Sequence, residues 1–318
     1  TIIGILGIGM FGQTMFEKLL QATGKTFYSM ITQIVGAVTN IIMDPILIFG
    51  VGPFPKMGVA GAAVATIFGQ ILGTALAIYF NLRFNKEISI SFKKYPLTRE
   101  TVQSIYGIGL PSIFMQAVGS VMTFGLNKIL VSFSSTAVAV FGVYFKLQSF
   151  TFMPIFGLNN GMMPLVSYNF GARKPERIMQ AMRLGLVASI SIMLICFTVF
   201  QCFPTQLLLL FSASENMLAI GIPALRIISI HFLAAGISVI CMAMFQALGH
   251  APNSLLISIS RQLLVLLPAA YVLSRFGNIN LVWWAFPIAE IASVLMCVIL
   301  LRRVLNKEVR PLFEAHAN

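Results

Sequence analysis

Charge is what this sequence has least of. Only 9% of its 318 residues are charged and nine are acidic, against 58% apolar residues and a mean hydropathy of +0.91. Such a chain has more apolar surface than one water-soluble core can bury, so lipid is its solvent. The alternating ten-residue segments of a transmembrane barrel are missing. Also missing are a phosphate-binding loop, a nucleophile triad and metal-thiolate spacing, so ATP-driven and enzymatic readings have no residues to carry them. The four cysteines, Cys196, Cys202, Cys241 and Cys297, stand in apolar runs without CxxC spacing and read as small core residues. No signal peptide is visible, and the chain opens on Thr1, already in an apolar run, which reads as a chain lacking its natural front end.

What is present is a series of long apolar runs. A helix needs about 20 apolar residues to cross a bilayer, and lipid leaves no partner for the backbone of open strands. Nine runs meet that description: 2–20, 28–50, 58–80, 103–133, 137–168, 180–211, 218–248, 253–274 and 280–301. Pro111, Pro154, Pro164, Pro223, Pro268 and Pro287 lie in or near them and mark expected kinks.

The net charge of +12 is distributed as a topology signal and not as a nucleic-acid footprint. Lys25 follows the first run; Arg83, Lys86, Lys93, Lys94 and Arg99 the third; Arg173, Lys174 and Arg177 the fifth; Arg302, Arg303, Lys307 and Arg310 the ninth. The opposite connections carry only Lys56 and Arg275. The positive-inside rule therefore puts the C-terminus in the cytoplasm of a cell inner-membrane protein and the observed N-terminus outside.

An internal repeat is also visible. Gln21-Ala22-x-Gly24 matches Gln246-Ala247-x-Gly249 at an offset of 225 residues, and the helix start at Gly58 lines up with Leu281 at 223. Runs one to three are thereby in register with runs seven to nine, in the same orientation, as a parallel repeat. Counterparts of runs four to six are expected to begin about 120 residues ahead of Thr1, as three further helices.

Four motifs in order carry a family resemblance: the Gln-Ala-x-Gly turns, Asn40-Ile-Ile-Met-Asp44-Pro45, Gly58-x-x-Gly-Ala-Ala-x-Ala-Thr66, and Pro164-Leu-Val-Ser-Tyr-Asn169-Phe-Gly171-Ala172 before a basic loop. Together they resemble the multidrug and toxic compound extrusion (MATE) family, in its MepA-like branch. The resemblance implies an all-α polytopic membrane protein, a two-lobe helical bundle with about nine of twelve helices present. Residues 1–100 would hold the rest of the N-lobe (helices four to six) and the cytoplasmic inter-lobe loop. Residues 101–318 would be the C-lobe (helices seven to twelve) with a short cytoplasmic tail. It further implies export of amphipathic or cationic drugs in exchange for Na+ or H+ by alternating access. The expected partners are small organic substrates and the bilayer, with no nucleic acid, no cofactor beyond the coupling ion, and a monomeric state.

Ionisable residues deep in a membrane helix cost roughly 2.5–3.5 kcal/mol on insertion scales, which makes them candidates for function. Of the acidic residues, Asp44 and Glu290 stand well inside runs. Asn40 and Asp44 share a helix face. Asp44 lies about 9 Å before the outer end near Gly50, and Thr66 about 12 Å past the helix start at Gly58, so amide, carboxylate and hydroxyl meet at one depth. They offer hard oxygens for Na+ or a dock for a proton. The alternative is a purely structural hydrogen-bonded set. The resemblance implies an N-lobe cation site at Asn40, Asp44 and Thr66, completed by an Asp from helix one.

Glu290 and Arg261 lie about 15 and 20 Å from their shared connection, within reach of each other. With Gln116 they make a C-lobe polar cluster, readable as a coupling element or as a buried ion pair that locks two helices. The family's other C-lobe pattern, acids in helices seven and ten, is absent. Lys128, Lys146 and Arg226 face a polar cavity or reach to an interface, and His231 reads as a packing residue. Two rival functions stand beside the exporter. One is a flippase for lipid-linked sugars, which calls for a cationic cavity. The other is a non-transporting membrane scaffold.

Overall fold

The computed structural model describes residues 8–88 and 98–317, which form helices and connecting turns, with no strand among them. Thr1, the rest of the first seven residues, Lys93 and Lys94 lie outside the described residues. The chain divides into two compact units, Thr1–Pro96 and Leu97–Asn318.

The first unit is a three-helix sheaf of α1 (Ile8–Ala22), α2 (Thr26–Phe49) and α3 (Val59–Phe84). Glycines let α2 and α3 pack backbone to backbone. A Cβ on Gly61 would sit 2.5 Å from the Leu47 carbonyl oxygen, and one on Gly69 2.6 Å from that of Gly36. Small residues serve this purpose between membrane helices, where close approach and dispersion replace the hydrophobic drive.

The second unit holds α4 (Arg99–Val131), α5 (Ser135–Gly171), α6 (Pro175–Cys202), α7 (Pro204–Leu209), α8 (Glu215–Ser229), α9 (Phe232–Ala247), α10 (Ala251–Ile259), α11 (Leu267–Ser274), α12 (Ile279–Trp283), α13 (Ala285–Val304) and α14 (Arg310–Ala317). Thr98 and Ser134 cap α4 and α5 by accepting from the backbone N–H three residues on. Pro175 starts α6 where its missing donor is harmless. One core gathers around Leu126, Phe141, Tyr144, Phe232, Trp283 and Phe286. Another gathers around Met162, Ile178, Met244, Phe245 and Cys297.

Seven helical spans among the described residues are long and apolar enough to cross a membrane, and the bent pair α8 and α9 makes an eighth. The sequence predicts nine. The remaining run is α1, described over 15 residues because the start of its run lies outside the described part. Large apolar side chains such as Phe11, Val59, Phe124 and Leu210 stand 73–90% exposed, as lipid-facing surfaces do.

Four runs are interrupted where the sequence shows continuous apolarity, run 280–301 only by a single turn residue, Trp284, between α12 and α13. Run 180–211 stops at Cys202, because Pro204 disfavours helical geometry in the residue before it. Run 218–248 bends by 50° between Ser229 and Phe232, where Ile230 and His231 donate to carbonyls three residues back. Run 253–274 carries a π-helical segment, Ser260–Leu266, ending two residues before Pro268, which has no donor for the Leu264 carbonyl.

The two Gln-Ala-x-Gly turns fold alike. Gly24 and Gly249 have φ of 76° and 83°, a region glycine enters freely. The next residue closes the helix in each turn: Lys25 N–H donates to the Leu20 carbonyl at 2.8 Å, and His250 N–H to that of Phe245 at 2.7 Å. The motif repeated in sequence is repeated in hydrogen bonding.

Candidate functional site

In the first unit, α2 and α3 bring Asn40, Asp44 and Thr66 together. The Asn40 amide donates to the Thr66 hydroxyl at 3.2 Å and, more weakly, to the Asp44 carboxylate at 3.5 Å. Thr66 passes its own hydrogen to the Ala62 carbonyl at 2.9 Å. All three side chains are half-buried. Pro45 follows Asp44 and leaves the Ile41 carbonyl without its helical donor, which adds a backbone oxygen to the same stretch. A half-turn of the Asn40 amide would present its oxygen beside the carboxylate and hydroxyl, a set of hard ligands. Among the described residues there is no group of three or more His, Cys, Asp or Glu side chains placed to hold a metal.

In the second unit, Arg261 stands on the π segment and donates to Glu290 Oε2 on α13 at 3.2 Å. Glu290 is 3% exposed, and its other oxygen has no hydrogen-bond partner. Both residues border a cavity of about 650 Å³, and so does Gln116 from α4. The cavity wall is mixed: Phe141, Phe152 and Phe286 supply aromatic surface, Met122 and Met242 adaptable surface, and Gln246 a further amide. His231 packs edge-on to Phe232 and sets Nδ1 against the Ile228 carbonyl, a satisfied packing role at the cavity edge. Lys128, Lys146 and Arg226 are not among the cavity's lining residues. Lys146 sits over the Phe211 ring at 5.8 Å.

A third polar group escapes the sequence reading. Glu17 on α1 is 6% exposed, yet it stands near the end of its run, where a carboxylate is expected to reach water. Gln13 donates to its Oε1 at 2.9 Å, Thr32 to the same oxygen at 2.8 Å, and Gln33 to Oε2 at 2.9 Å. The available signal is the i,i+4 pair Gln13 and Glu17, on a face that a following helix beginning Thr26 must cover.

Comparison with known proteins gives a consistent result. The MatE family model matches residues 111–272. The chain is 30% identical over 294 residues to "Multidrug export protein MepA" of Staphylococcus haemolyticus, covering 92% of this chain and 64% of that protein. It is 26% identical to the "FAD transporter" of Shewanella oneidensis, covering 90% of this chain and 63% of that one. It thus spans a little under two thirds of these relatives' length. Among solved structures, "Crystal structure of MATE in complex with MaL6" superposes with a TM-score of 0.87 at 23% identity, covering 98% of this chain and 69% of that one. "Outward-facing conformation of a multidrug resistance MATE family transporter of the MOP superfamily" gives 0.84 at 24% identity, covering 95% and 66%. These two likenesses establish the fold.

Proposed function

This chain belongs to the MatE family, and we propose that it is the larger part of a secondary active exporter that moves amphipathic or cationic organic compounds against Na+ or H+. The observation that carries this reading is the Asn40–Asp44–Thr66 cluster, where one carboxylate, one amide and one hydroxyl bridge two membrane helices at one depth. A low-dielectric site favours a neutral carboxyl, while a bound cation favours the charged one. Coupling is the resolution of that conflict: proton and cation, or ion and no ion, stabilise different states of the same cluster.

The mixed cavity of the second unit suits such substrates. Its aromatic and methionine surface takes apolar bodies of varied shape, and its amides take polar edges. One guanidinium and one carboxylate neutralise each other there. A lipid-linked sugar flippase would call for an excess of positive charge at that place, so the exporter reading is preferred. The name of the Shewanella oneidensis relative makes a dinucleotide a second substrate to assay.

A tenfold ion gradient supplies about 1.4 kcal/mol, and 100 mV adds about 2.3 kcal/mol per net charge moved. One ion exchanged for one monocation moves no net charge, so the concentration term alone drives that exchange. We further place the protein in the cell inner membrane as a monomer with a cytoplasmic C-terminus, working as a transporter and not an enzyme. The test is uptake of a fluorescent cationic dye by inverted vesicles carrying the full-length protein, under imposed Na+ or H+ gradients. Gradient-dependent dye movement supports the reading, and movement indifferent to both gradients refutes it.

A further inference from the structure

The Thr32 hydroxyl has one hydrogen and two acceptors. Its Oγ1 lies 2.8 Å from Glu17 Oε1 and 2.7 Å from the Ser29 carbonyl oxygen. If the hydrogen goes to Glu17, the carboxylate is ionised and receives three donors, from Gln13, Thr32 and Gln33. If it goes to Ser29, two oxygens without a hydrogen between them would face each other at 2.8 Å, unless Glu17 carries a proton and donates it to Thr32. Both arrangements satisfy every polar atom in the group, and they differ by one proton on Glu17 and a rotation of one hydroxyl. A buried carboxyl whose partners can be arranged around either form can take up or release a proton without leaving a polar atom unpaired.

We propose that Glu17 is a proton-binding site in its own right, separate from the Asn40–Asp44–Thr66 cluster, with the buried Thr32 hydroxyl turning to donate when the proton is off and to accept when it is on. The proton is taken from water on loading and returned to it on release, and the only bond that forms or breaks on Glu17 is O–H. Gln33, exposed on α2, borders the carboxylate and marks the side on which water approaches. The hydrogen bonds as they stand suit a proton, since Gln13 and Gln33 both donate to the carboxylate and a metal ion would require both amides to turn. The site is separate because Thr32 and Asp44 are twelve residues apart on one helix, about 18 Å.

The surroundings hold this geometry. Gln13 lies in a slot lined by glycine: a Cβ on Gly73 of α3 would meet its amide at 2.7 Å, and one on Gly36 of α2 at 3.5 Å. Of the charged groups, Lys18 is the neighbour on α1, with its ammonium 3.0 Å from the Gln21 amide oxygen. Around α2 the ionisable groups are Tyr28, stacked on Phe84, Asp44 in its own cluster, and Lys25 at the helix start, 4.0 Å from Glu87. On α3 they are Tyr79 and Arg83, both exposed.

The inference rests on the ion-coupled reading for its purpose but not for its test. Infrared difference spectra of the purified full-length protein, acid minus alkaline, report carboxyl groups that gain a proton. The expected result is loss of one protonated-carboxyl band in Glu17→Gln, with the Asp44 band kept. Thr32→Val is expected to move the Glu17 band to higher frequency, because its hydrogen-bond acceptor is gone. Gly73→Ala, which pushes the Gln13 amide aside, is expected to move it as well. An unchanged set of bands in Glu17→Gln overturns the proposal. Should that variant fail to assemble, an unshifted spectrum in both Thr32→Val and Gly73→Ala overturns it equally. Wild-type ion-driven export in Asp44→Asn, with the Glu17 band intact, would instead defeat the function proposed above and leave this site standing.

Discussion

The Arg261 guanidinium, carried on a π-helical segment, meets the Glu290 carboxylate at 3.2 Å. The wider turn ahead of Pro268 sets the rotation of residues 260–266, and the cavity opens where that rotation brings arginine, carboxylate and aromatic rings to one wall. Glu290 is buried to 3% exposure while the Arg261 side chain keeps 21%, so it is the carboxylate that depends on its partner.

Breaking that pair from one side should therefore cost more than removing it. Arg261→Met leaves a buried carboxylate without its cation and is expected to destabilise by about 3–5 kcal/mol, whereas Arg261→Met with Glu290→Leu should recover most of the loss. Thermal unfolding of the purified variants in detergent, arranged as a double-mutant cycle, measures the difference. A double variant as unstable as the single one would show that the pair is not the origin of the effect.

Asp44→Asn preserves size and hydrogen bonding and removes the charge. Normal membrane insertion with loss of ion-driven export is expected, while Thr66→Ala, which removes one neutral ligand, should raise the ion concentration needed for half-maximal export more mildly. Dye export against stepped Na+ and H+ gradients is the measurement. Wild-type export with unchanged ion dependence in Asp44→Asn would make Asp44 a structural acid and turn attention to Glu290.

Close packing of α2 on α3 should tolerate no methyl group at Gly61, where a Cβ falls 2.5 Å from a backbone oxygen. Gly61→Ala is expected to destabilise by about 1–3 kcal/mol through forced separation of the helices. Gly107→Ala, on α4 with open space around it, should change little. Unfolding midpoints of the two variants, compared in one detergent, decide this.

In the proposed orientation, with the C-terminus in the cytoplasm, the end of α6 lies on the outer side, and Cys202 there is exposed while Cys241 and Cys297 are buried. A membrane-impermeant maleimide added to intact cells should label Cys202 and spare the other two. Labelling of Cys202 only in inverted vesicles would reverse the proposed orientation.

Gly24 and Gly249 close equivalent turns at positive φ. Alanine at either should cost about 1–2 kcal/mol in the folded state, with similar values at the two positions, because the backbone demand is the same. Unequal losses would show that the turns carry different loads despite their shared hydrogen bonds.

Much of this protein follows from the sequence by itself. Scarcity of charge sets the solvent, solvent requires helices, and the placement of Arg83, Arg173 and Arg302 carries the proposed orientation, since each is a sum over residues that needs no neighbour. Depth is equally local. At about 1.5 Å per residue, Asn40, Asp44 and Thr66 fall near one level, Arg261 and Glu290 fall within reach of a long arginine side chain, and the structure brings both sets into contact. Rotation and bending are different, because they depend on what packs against the helix. Run 218–248 reads as one span, yet it turns by 50° between Ser229 and Phe232, beside the core where Phe232 and Phe286 pack. Glu17 reads as a residue near a helix end. Only the packing of α1 on α2, which sets Gln33 and Thr32 against it and Gln13 into a glycine slot, makes it a buried carboxyl with a choice of two hydrogen-bond patterns.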